Sequence, residues 1–88
     1  MQLGIICDPE RRGKDETLVR EARKFFTKVV YIPITSIKLE VSEQLKAFYK
    51  NYDLCEFDCV LPIPTYRYRE FFYMILKILE NNMVFVPI

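Results

Sequence analysis

Apolar and polar positions along the chain sort into short apolar runs separated by amphipathic stretches. Gln2-Leu3-Gly4-Ile5-Ile6-Cys7 is nearly uninterrupted, and it breaks abruptly into Asp8-Pro9-Glu10-Arg11-Arg12-Gly13-Lys14. A strand buried on both faces reads this way, stopped by turn formers. From Asp15, a candidate N-cap, the apolar residues Leu18, Ala22, Phe25, Phe26 and Val29 recur at helical spacing. They predict a helix ending near Lys28, with Arg20, Arg23, Lys24 and Lys28 on its solvated side. Val29-Val30-Tyr31-Ile32 then reads as a second strand, closed by Pro33.

Residues 35–50 allow two readings. Ser42 to Lys50 has the pattern of a short capped helix, whereas Ile37, Leu39 and Val41 alternate with Lys38 and Glu40 at the period of a half-exposed strand. The second reading pairs that strand with Leu45–Tyr49 across a turn at Ser42-Glu43-Gln44, and the cleaner alternation favours this hairpin. Phe57-Asp58-Cys59-Val60-Leu61-Pro62 is a third core strand, ended by Pro62-Ile63-Pro64. Thr65 is placed to cap a helix from about Tyr66 to Glu80, and Asn81-Asn82 ends it before a fourth strand, Met83–Ile88. The expected fold is α/β, a mainly parallel four-stranded sheet in the order second, first, third, fourth, with the hairpin inserted.

The last helix has an apolar arc of roughly 200°, about twice what a surface helix needs. Tyr68, Phe71, Phe72, Ile75 and Leu79 lie near its centre and are expected on the sheet. Met74 and Ile78 on one flank and Leu76 on the other are left for another cover, a downstream domain or a second copy of the chain.

Composition adds bounds rather than chemistry. Eighty-eight residues form one domain, and 51% apolar with 15% aromatic residues is a dense endowment for that length. A net charge of +1 gives no reason to expect nucleic acid or a membrane surface. There is no secretory leader and no apolar run of membrane-spanning length, so a cytoplasmic location is expected. Cys7, Cys55 and Cys59 occur without any histidine. In a strand Cys55 and Cys59 would stand ~13 Å apart, beyond disulfide reach, so the three read as small buried hydrophobes and no metal site is expected.

The candidate chemistry lies where the first and third strands end. Asp8, Arg11, Arg12 and Lys14 follow one, and Arg67 and Arg69, interleaved with Tyr66 and Tyr68, follow the other. Arginine forks suit carboxylate and phosphate oxygens, so this edge could receive an anionic small molecule or a peptide carboxylate. Solvated loop charge is the plainer alternative. Two glycines in all exclude a phosphate-binding loop, and without histidine a serine or cysteine nucleophile has no imidazole base. No catalytic constellation is complete.

The succession strand, loop, helix, strand, hairpin, strand, helix, strand resembles the N-terminal pre-ATP-grasp domain of RimK-type ATP-grasp ligases. The likeness is carried by Leu3-Gly4-Ile5-Ile6-Cys7-Asp8 with Arg12-Gly13, by Tyr31-Ile32-Pro33, and by Phe48-Tyr49-Lys50-Asn51 with Asp53-Leu54. It continues through Phe57-Asp58-Cys59-Val60-Leu61-Pro62 with Ile63-Pro64, and through Leu76 to Val84-Phe85-Val86-Pro87-Ile88. The resemblance implies a small three-layer Rossmann-like domain on the substrate side of a carboxylate–amine ligase, the class that includes ribosomal protein modification enzymes. It implies ATP and magnesium for the parent protein, held by residues downstream, and no cofactor in these 88 residues. Family members often carry an arginine directly after the third strand. Ile63 stands there, and arginines follow only at Arg67 and Arg69. A free-standing α/β interaction module, homodimeric and without enzymatic activity, is the alternative; the gene beyond Ile88 separates the two.

Overall fold

The structure, a computed structural model, describes residues 1–87, of which residues 11–15 are described by backbone alone. Six strands form two sheets. β1 (Gln2–Cys7) lies between β2 (Lys28–Pro33) and β6 (Cys59–Pro62), parallel to both. β3 (Lys38–Val41), β4 (Leu45–Tyr49) and β5 (Tyr52–Asp53) form a separate antiparallel sheet. Helix α1 (Arg12–Ala22) connects β1 to β2, and α2 (Arg69–Asn81) follows β6.

The apolar run of β1 is explained by burial on both sides. Leu3, Ile5 and Cys7 pack with Cys59 on one face, where Val19 and Ala22 of α1 and Phe26 cover them. Ile6 joins Ile32, Val60 and Phe57 on the other face, beneath Phe72 and Ile75 of α2. Gly4 is on this second face, and a Cβ there would stand 3.0 Å from Cδ1 of Ile32 and 3.5 Å from the Phe57 ring. The missing side chain is what lets Phe57 lie against the strand. Gly4→Ala should therefore destabilise by about 1–2 kcal/mol in urea unfolding. Ile32→Val, which removes the opposing Cδ1, should recover most of that loss. A double mutant no better than the sum of the singles would show the crowding to lie elsewhere.

The four-stranded sheet expected from sequence is not what forms. Three strands pair in the order β2-β1-β6, and among the described residues the segment after Met83 contributes a single parallel bridge between Phe85 and Cys59. The cause is how α2 ends. Met83 adopts a left-handed φ of 61°, Val84 N–H donates to the Leu79 carbonyl and Met83 N–H to the Glu80 carbonyl. This Schellman arrangement consumes the donor of Val84, and Pro87 has none. Phe85 remains, and its carbonyl accepts from Val60 N–H at 3.0 Å. The hairpin did form, but it belongs to its own sheet, with β5 as a third strand, and the architecture is not parallel alone.

α1 also departs from its pattern. It ends at Ala22, and tight bonds from Lys24 N–H to Glu21 and from Phe25 N–H to Ala22 close its last turn. Val19, Ala22 and Phe26 face the sheet, while Leu18 is exposed and Phe25 is 80% exposed. Its start is earlier than Asp15 suggested. Asp8 takes the capping role instead, its Oδ1 accepting Glu10 N–H at 3.0 Å in the 3-10 turn that leads into the helix.

The wide apolar arc of α2 has an internal explanation. The helix contacts β4, and Ala47, Ile37 and Leu54 from the antiparallel sheet share one cluster with Phe72, Ile75, Ile78 and Leu79. Ile78, expected on an uncovered flank, is only 4% exposed. Leu76 is half-buried, and Met74 alone of the three stays open to solvent. Among the described residues no helix is long and apolar enough to cross a membrane.

Candidate functional site

The crevice at the carboxyl ends of β1 and β6 is where the two basic groups were expected, and the fold does bring these two loops together. Ile63 N–H extends the ladder to the Ile6 carbonyl at 2.8 Å. Just beyond, Asp8 is buried, and its Oδ2 accepts the Thr65 hydroxyl at 3.1 Å. With Oδ1 holding Glu10 N–H, both carboxylate oxygens are engaged. Asp8, expected among the substrate-binding residues, therefore pins one loop to the other. Thr65 does not cap a helix with its side chain. Residues 66–68 form a 3-10 turn before α2 begins, which frees the Thr65 hydroxyl for Asp8.

Above this pin, Arg67 forms an ion pair with Glu10 across the two loops. The hydrogen bond and charge of Glu10 hold the guanidinium above its already high ordinary value. Arg67 also lies over the Tyr68 ring at 5.3 Å. Arg69 stacks on Tyr66 at 4.7 Å and has no ion pair among the described residues. A shallow cleft of about 470 Å³ lies beside them, lined by Tyr66, Arg67, Arg69, Glu70 and Met74 among others. The side chains of Arg11, Arg12 and Lys14 lie outside the described residues.

Sequence reading missed Thr65 and Glu10 as partners. Glu10 carries the charge opposite to Arg67 in the loop expected beside it, so the pair was recoverable once β1 and β6 were taken as neighbours.

The described residues do not fit a magnesium ion. Asp8 and Glu10 are each engaged with protein partners, and among the described residues no group of three acidic, thiol or imidazole side chains converges. Cys7 and Cys59 are buried and Cys55 partly so. Burial raises the pKa of Cys55 and Cys59, reinforced by Asp53 and Asp58 respectively, which keeps these thiols protonated and poor nucleophiles at neutral pH.

No protein-family model, curated protein or solved structure matches this chain.

Proposed function

We propose that this domain is the substrate-side module of an ATP-dependent carboxylate–amine ligase, a pre-ATP-grasp-like domain that is inert alone. The observation that carries the reading is Arg69. Its guanidinium is stacked on Tyr66 at the carboxyl end of a parallel sheet and keeps its fork for a carboxylate. The ring face engages the flat side of the guanidinium and leaves its N–H edge to an incoming amino-acid or peptide carboxylate. The neighbouring Arg67–Glu10 pair is already neutralised and gives the rim its shape. ATP and magnesium, which supply acyl-phosphate activation in such ligases, would be held by another region of the parent protein.

Titration with glutamate, followed by NMR, should move the amides of residues 65–70 with a Kd of about 1 mM, a contact of roughly 4 kcal/mol. Arg69→Ala should abolish those shifts, whereas Arg67→Ala should leave most of the affinity. Calorimetry with Mg-ATP should give no saturable heat. Glutamate binding indifferent to Arg69, or tight binding of Mg-ATP, would overturn the assignment.

A free-standing interaction module is the second reading, favoured by the exposed Leu39, Val41 and Leu45 on the hairpin.

A further inference from the structure

The antiparallel sheet ends in an open strand. β3 is at its edge, and all four of its residues are exposed. The strand alternates apolar and charged positions as Ile37-Lys38-Leu39-Glu40-Val41. On one face Leu39 stands opposite Ala47 and Val41 opposite Leu45. That face runs from the core, where Ile37 is 7% exposed, out to Val41 at 81%. On the other face Glu40 stands opposite Lys46, and Lys38 opposite Phe48.

The backbone pattern tells which groups of β3 are already used. Ser42 N–H donates to the Gln44 carbonyl at 3.3 Å, which closes the hairpin with a hydrogen-bonded pair. Hydrogen-bonded and open pairs alternate in an antiparallel ladder, so Glu40 and Lys38 turn their peptide groups inward to β4. Leu39 and Val41 turn theirs outward, to the unoccupied edge. An unpaired edge of this kind is a template for another strand.

We propose that β3 pairs antiparallel with β3 of a second copy of this chain, about a two-fold axis through Leu39. That register sets Leu39 against Leu39, so their outward N–H and C=O groups bond reciprocally. It sets Lys38 against Glu40 of the second copy, and symmetry repeats the pair. Val41 comes opposite Ile37 of the second copy, at the rim of its core. Charge and length disfavour the alternatives. The outward groups allow slips in steps of two residues. The first step opposes Lys38 to Lys38 one way and Glu40 to Glu40 the other, and larger slips leave most of the four-residue strand unpaired. Like charges directly opposite destabilise a strand pair, and opposite charges support it. The edge is therefore complementary to itself in one register, as an isologous interface requires. The two antiparallel sheets become one continuous sheet across the dimer. This inference does not rest on the ligase reading.

Sedimentation equilibrium of the chain should show a reversible dimer at roughly 100 μM, the regime of a small, partly polar interface. Lys38→Glu, whose opposite residue in its own hairpin is the uncharged Phe48, should weaken the dimer about tenfold or more by setting glutamates against Glu40. Glu40→Lys should do the same through lysines. Mixing the two variants in equal amounts should restore association, because every cross-copy pair is then complementary. A monomeric parent chain, a Lys38→Glu variant that associates as strongly as the parent, or a mixture no stronger than its components would each overturn the proposal. Folding defects in the single variants cannot imitate recovery on mixing.

Discussion

Phe72→Ala should destabilise the domain by about 3–5 kcal/mol, a loss comparable to the whole stability of a small fold. Phe72 is the largest of the fully buried side chains, 1% exposed on the inner face of α2, and it belongs to a cluster drawn from both sheets. Its removal leaves a cavity that β-strands on two sides cannot close over. The internal control is Phe25→Ala, the same chemical change at a side chain 80% exposed, which should alter stability by no more than about 0.5 kcal/mol. Urea unfolding of both variants checks this; equal losses would mean that Phe25 is buried or that Phe72 is not.

Asp8→Ala should cost about 2–4 kcal/mol, because a buried carboxylate then ceases to accept from Glu10 N–H and the Thr65 hydroxyl. Asp8→Asn should retain most of the stability. Its amide oxygen can still accept from Glu10 N–H, and its amide nitrogen can donate to the Thr65 oxygen. A carboxylate needed for its charge would fail equally in both variants, whereas a pin between loops separates them. The alanine variant should also lose the glutamate-induced shifts at residues 65–70, since the loop bearing Arg69 is no longer tied to β1. Shifts that persist in a destabilised Asp8→Ala would show that the cleft is shaped by α2 alone.

These two residues illustrate what could be read from the chain and what could not. β1, β2 and β6 were legible because an apolar run bounded by turn formers has few other uses in a short chain. The hairpin was legible from its alternation of Ile37, Leu39 and Val41 with charges. The face of α1 was not, since Leu18, Phe25 and Phe26 make as good a stripe as Val19, Ala22 and Phe26. Only the early end of the helix, set by tight turns before β2, decides between them. Met83–Ile88 has the composition of a strand, yet composition does not record that the Schellman turn takes the donor of Val84. The arc of α2 was legible but its cover was not, because the pattern shows how much surface is apolar and not which neighbour meets it; Ile78 is covered from within the chain and Met74 is exposed. At the candidate site the residue types were visible in advance. The pinning of Asp8 by Thr65 and the pairing of Arg67 with Glu10 depend on contacts between loops far apart in the chain. Arg69 over Tyr66 is a local contact, but no pattern records its freedom from an ion pair among the described residues.

The two sheets share no ladder of hydrogen bonds; they meet in the side-chain cluster that contains Phe72, Ile75 and Ile78. Cooperativity in this protein thus passes through packing rather than through backbone pairing. A three-stranded antiparallel sheet whose strands run to five residues or fewer has little standing of its own once that cluster opens. The parallel sheet likewise loses cover from one of its faces. Departure of a single helix therefore dissolves both halves together, and the domain unfolds as one unit.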